Sequence, residues 1–242
     1  MSCSLTRCVA TDVEPVMWLC AMGLAAPFGN VVGLVVSLRH GTVRYPHYTI
    51  SQVIRTGPGL NVVACGWQLF AASYAVLSWI LHGQLLLATE RVSHPEDLAR
   101  WAEVRALVAV ALLIGMSVIH ICPVQPTEAL SRHVVRDALH YTLASSFAVA
   151  GVLEAWVTVV QIEPILTASG MSLSNGAWLR WTTLYASPLW ICVGLLMSAS
   201  LAYDREDLAA YGGILEFLLL TLYGCYLISV IGLVTDLQNV LG

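Results

Sequence analysis

Six stretches of this chain, 16–38, 60–87, 106–122, 141–162, 181–201 and 211–235, each approach the length of a bilayer crossing and are almost free of charge. A helix rises about 1.5 Å per residue, so roughly 20 apolar residues cross hydrocarbon about 30 Å thick. The shortest stretch, 106–122, is flanked by Arg105, whose long side chain can snorkel, and by Pro123, which stops a helix. The expected fold is therefore all-α: a polytopic membrane protein forming one domain over 1–242, a bundle of six transmembrane helices with short loops and both termini on one side.

Composition bears on what the remainder can be. Hydrophobic residues make up 58% of the chain and charged ones 11%, with a mean hydropathy of +0.76, whereas soluble domains carry about 25% charged residues. That leaves too little polar surface for a water-facing globule. The net charge of −4 comes from 15 acids against 11 bases, every base an arginine. With no basic stripe, nucleic acid is not an expected partner. With no lysine, neither a retinal Schiff base nor a lysine nucleophile is available.

Seven cysteines are scattered without a pair in one connector, so no disulfide framework is expected. Cys3 and Cys8 read as free thiols, acylation being the alternative. Arg7 precedes the first apolar run, but the run outlasts a signal-peptide core and follows Asp12 and Glu14, so a retained first helix is expected. Arginines divide five against six between the two sides, which sets no orientation.

Gly29 and Gly33 share one face of the first span, where another helix backbone can approach. The connector 39–59 is the longest polar segment. The connector 88–104 alternates in charge and reads as solvated, with Ser93 or Pro95 starting a short helix toward Trp101. A short surface helix is expected within 123–140, a flexible Ser-, Gly- and Asn-rich loop over 163–180, and a tight acidic turn over 202–210.

Glu154, near the middle of the fourth span, is the residue most open to chemistry, because a charge at that depth costs roughly 2.5–3.5 kcal/mol. With no arginine expected inside a span, it reads as a lone acid that takes up a proton and hydrogen-bonds within the bundle. A proton-linked, cation-linked or lipid-headgroup role and a purely structural one both fit. Glu216 lies nearer an interface. His82, His120 and His140 near span ends, with the two glutamates, form the one conceivable zinc set, but their spacing lacks the tight local ligand pairs of such sites. Ser145 and Ser146 lack the strained turn of a nucleophile. Trp18, Trp101, Trp178 and Trp181 fit an aromatic belt.

The arrangement resembles the damage-regulated autophagy modulator family, whose wider superfamily includes GPI-lipid-remodelling factors and regulators of phosphatidylinositol-kinase recruitment. The similarity rests on PHYTISQ at 46–52, with Pro46 and Ser51; on LHYTLASSFAVAGVLEAW at 139–156, with His140 and Gly151; and on Glu216, Phe217, Thr235 and Asp236 in the last span. Gln52 stands where that family has an acid, and Phe217 where it has tryptophan. The resemblance implies six helices, cytosolic termini, residence in an endomembrane such as lysosome or Golgi, and a regulatory, lipid-related role without established catalysis or cofactor. Membrane lipids and membrane-protein partners are the implied contacts. A proton-coupled carrier using Glu154, an intramembrane lipid-modifying enzyme and a structural subunit of a membrane complex are the alternatives.

Overall fold

The computed structural model describes residues 21–42, 58–118, 130–203 and 205–241, and its regular elements are all helical. In chain order they are α1 (Ala25–Arg39), α2 (Pro58–Ala88), a 3-10 turn (Thr89–Arg91), α3 (Pro95–Val118), α4 (Leu130–Trp156), a π-helical turn (Val157–Ile162), α5 (Glu163–Ala168), α6 (Ala177–Ala186), α7 (Leu189–Tyr203) and α8 (Glu206–Leu241). Among the described residues four helical segments are long and apolar enough to span a membrane: Pro58–Arg91, Thr142–Ala168, Ala177–Ala199 and Ala210–Leu241; the apolar α1 is shorter.

The surface is the inverse of a soluble protein's. Arg105, Glu154, Arg180, Asn30 and Thr158 are buried, while Trp79, Leu107, Ile191 and Leu195 are mostly exposed. Polar groups buried and large apolar side chains outside is the arrangement hydrocarbon selects, since lipid tails solvate leucine but not guanidinium. The chain is an integral membrane protein by this criterion.

α2 and α8 form the centre. α2 packs against α1, α3 and α8, while α8 also meets α6, α7 and α1, and α3 packs on α4. Leu81, Leu85, Leu98, Leu112, Tyr226, Val230 and Leu237 fill the core between them. At one end Arg91 donates from Nη1 to the Val240 carbonyl (2.5 Å) and from Nη2 to that of Leu241 (2.9 Å), satisfying orphan carbonyls in the last turn of α8. The Ser93 N–H donates to Ser169 Oγ at the same end (3.2 Å). Arg205 and Asp207 pair on the surface at the start of α8, and that hydrogen bond holds the Asp207 carboxyl below its usual range.

Gly29 and Gly33 both lie buried against α2. A Cβ on Gly29 would stand 3.2 Å from the Val62 carbonyl oxygen, and Gly33 brings its own carbonyl to Gly59. On α2 the complementary position is Gly66, where a Cβ would collide with the Ala25 carbonyl. Next to this contact the Trp67 Nε1–H donates to Asn30 Oδ1 at 3.0 Å, out of reach of solvent.

Several boundaries differ from those read in the sequence. α3 starts at Pro95, not near 106, because proline at a first helical position with Glu96 and Asp97 in the first turn is a strong helix start. The segment 163–180 is not one flexible loop: α5 and the start of α6 take up most of it. The span at 181–201 is broken at Ser187–Pro188, where proline cannot continue the ladder. The acidic turn at 202–210 contracts, since α8 already begins at Glu206. From Leu130 to His140 the chain is the first part of α4; residues 119–129, where the rest of the expected surface helix falls, lie outside the described residues, like 1–20 and 43–57.

Gly66→Leu is expected to lower the stability of the purified protein by about 1–3 kcal/mol through overpacking against α1, read by thermal unfolding in mild detergent. Leu195→Met, on the exposed face of α7, should leave the same transition unchanged.

Candidate functional site

The expectation of a lone acid at Glu154 is corrected by the structure. Arg105 Nη2 lies 2.6 Å from Glu154 Oε1, with the side chains 1% and 0% exposed. Arg105 does not snorkel. Since α3 starts at Pro95, Arg105 sits about three turns inside the helix, too deep to reach water from that end. The carboxylate is thus balanced by an opposite charge from a neighbouring helix.

The pair is enclosed by side chains of four helices. Arg105 Nε–H donates to Thr158 Oγ1 at 3.3 Å, and the Tyr226 hydroxyl donates to the same oxygen at 3.3 Å. The hydroxyls of Tyr74, on α2, and Tyr226, on α8, lie beside Glu154. Tyr226 stacks on Tyr223 with centroids 5.5 Å apart, Tyr223 meets Phe147 edge-on at 6.1 Å, and Phe147 meets Trp67 at 5.5 Å. This aromatic wall keeps the surroundings of the charges dry. The close ion pair and the two tyrosine hydroxyls supply the polar surroundings of the carboxylate.

A second buried pair has its acid, Glu163, on the same continuous helix as Glu154. Arg180, on α6, donates from Nε to Glu163 Oε1 and from Nη1 to the carbonyls of Asn175 (2.8 Å) and Ser229 (2.7 Å). Asp236 accepts from the Asn175 backbone N–H at 2.9 Å and from its side-chain amide. The loop before α6 can lie on the backbone of α8 because two glycines admit it. Gly176 has φ 72°, which side chains disfavour, and a Cβ on Gly232 would stand 2.5 Å from the Asn175 carbonyl oxygen.

Between the two glutamates the helix widens into the π turn. Pro164 has no N–H to offer and its ring obstructs the carbonyl four residues back, and the helix responds with the Glu163 N–H bonding to the Thr158 carbonyl, five back. In an unbroken α-helix Glu154 and Glu163 would point about half a turn apart. The extra residue in the wide turn reduces that angle, and both side chains face the interior.

The residues singled out in the sequence divide as follows. Glu154 is the centre of the first cluster. Glu216 is half-buried on α8, about 15 Å along the helix from Tyr226, and belongs to a different level of the bundle. His82 is half-buried on α2. Pro46, Ser51 and His120 lie outside the described residues, as does the side chain of His140, whose backbone is in α4. Among the described residues no three His, Cys, Asp or Glu side chains converge as metal ligands. Sequence reasoning missed Arg105, Glu163, Arg180, Tyr74, Tyr226 and Thr158 as site residues. The signal for Arg105 was present in the helix start at Pro95; for Arg180 and Glu163 no local pattern marks the pairing.

Comparison with protein-family models, with curated proteins and with solved structures gives no match to this chain.

Glu154→Ala leaves the Arg105 charge buried alone and is expected to cost about 3–5 kcal/mol. The double variant Arg105→Met with Glu154→Leu removes both charges and should recover most of that loss. Unfolding of the native protein and of both variants in mixed micelles reads the loss and its recovery directly.

Proposed function

We propose that this chain is a six-span membrane protein with a regulatory, lipid-related role of the autophagy-modulator type, resident in an endomembrane such as lysosome or Golgi with both termini cytosolic. It acts by engaging lipids and membrane-protein partners through its outer faces, without catalysis. The observation that carries this reading is the Arg105–Glu154 pair. The intramembrane acid on which proton-linked transport would depend is fully buried and already matched by a fixed charge.

A proton carrier needs an acid whose charge can change as it communicates with each side in turn. Here loss of the negative charge would leave Arg105 uncompensated in a dry interior, which is costly. A lipid-modifying enzyme needs a nucleophile beside a positioned base or a metal. Ser145 and Ser146 instead line a lateral groove whose other walls are Val108, Ala111, Val149, Ala150 and Leu153, with Thr142 at its end. The carrier reading has one observation in its favour: the break at Ser187–Pro188 interrupts the span 177–199, and carriers build substrate sites at such discontinuities.

The test uses the full chain reconstituted into vesicles. The expected result is no flux dependent on a pH gradient, followed with an entrapped pH dye, and no turnover of phospholipid, ceramide or GPI lipid. Flux that disappears in Glu154→Gln would replace this reading by the carrier; lipid turnover lost in His140→Ala would replace it by the enzyme.

A further inference from the structure

The exposed side of α4 separates two apolar grooves. One, of about 600 Å³, lies between α3 and α4 and includes Val108, Ala111, Thr142 and Ser146. The other, of about 460 Å³, lies between α4 and the α6–α7 break and includes Ala148, Val152, Pro188 and Ile191. Both volumes are in the range of small-molecule sites, roughly 300–1,000 Å³. Ser145, Val149 and Leu153, successive turns of one helix, wall both grooves.

We propose that a single two-chain membrane lipid straddles α4, one acyl chain in each groove and the headgroup at the Thr142 end. This rests on the lipid-related reading above and deepens it. Three observations choose this occupant. The first is depth: Thr142 to Leu153 covers about 16 Å, one leaflet of hydrocarbon about 30 Å thick, and in the sequence the charge-free stretch that contains Thr142 follows Arg136 and Asp137. The second is polarity, since among the described residues of α4 that wall the grooves the hydroxyls of Thr142, Ser145 and Ser146 come toward its N-terminal side and Val152 and Leu153 deeper along the helix. A lipid has the same gradient along its length.

The third is the ridge. Val149 is 59% exposed and Leu153 45%, so they stand out between the grooves. A partner helix, about 10 Å across with its side chains, would rest on that ridge and fill neither groove. Two flexible chains joined at one end pass on either side of it.

The experiment is native mass spectrometry of the full-length protein in mild detergent, with palmitoyl-oleoyl-phosphatidylcholine as probe and its single-chain lyso form as comparison. One two-chain lipid per protein is expected to be retained, and the lyso form much less. Ala111→Trp fills the first groove and Ala148→Trp the second; each should lower retention by about tenfold or more. Leu195→Trp, on the exposed face of α7, should not. Ala111→Leu and Ala148→Leu are milder fillings that should act in the same direction if a tryptophan form fails to fold. Undiminished retention in the groove variants, loss in only one of them, equal retention of the lyso form, or a second copy of the chain in place of lipid overturns the assignment. Retention as expected together with turnover of the lipid would leave the groove assignment standing and overturn the non-catalytic reading. Absence of turnover together with unaffected groove variants would do the reverse.

Discussion

A guanidinium and a carboxylate facing each other away from water constrain this bundle more than any apolar contact does. Stripping either ion of its hydration costs several kcal/mol, and the cost is offset only where the two meet. α3 can therefore sit against α4 in one rotation and one register, the one that brings Arg105 to Glu154. Apolar packing alone cannot impose that choice in hydrocarbon, because leucine against lipid is nearly as favourable as leucine against leucine. Thr158 and Tyr226 then extend the constraint from α3 and α4 to α8, which packs on α2 at the centre. Registration that a soluble protein obtains from excluding water is obtained here from charge.

The second pair applies the same logic nearer the end of the bundle. Arg180 joins α5, α6 and α8 through Glu163 and two carbonyls, and the loop before α6 is pinned by Asp236. Pro164 ties the two pairs together. By forcing a π turn it brings Glu163 round toward the interior already occupied by Glu154, so one residue that cannot donate a hydrogen bond decides that both acids on this helix are internal. The glycines at 176 and 232 are permissive rather than cohesive: they let the backbones approach, and the hydrogen bonds of Asn175 and Arg180 supply the attraction.

The membrane character and the helical class were legible because they depend on sums over 20 or more residues, which single misreadings hardly alter. The pairings were not, and the reason differs by residue. Arg105 looked like a boundary residue because hydropathy locates the apolar run and not the helix; Pro95, Glu96 and Asp97 locate the helix, and they place Arg105 well inside it. Arg180 and Glu163 stand at either end of a Ser-, Gly- and Asn-rich segment whose composition reads as a loop. Only the fold shows that this segment is short enough between α5 and α6 to bring them together. A lone acid in a span was thus an inference from sequence distance, whereas the energetics act on spatial distance. Pro46 and Ser51 lie outside the described residues, and the geometry bears on them in neither direction.

A bundle with its polar interior committed to holding helices together has its adaptable surface on the outside. The span 177–199 illustrates the division, since Arg180 and Thr183 are its only buried residues. Its first half is anchored by the buried Arg180, while its second, α7, leans on α8 and otherwise faces lipid. At the break at Ser187–Pro188 the Leu184 carbonyl, left by the missing proline N–H, is taken up by the Ser187 N–H and hydroxyl. The Leu184 carbonyl is thus satisfied without the proline N–H, as a carbonyl at membrane depth requires. The groove beside α4 borders this break, with Ser187 and Pro188 in its wall.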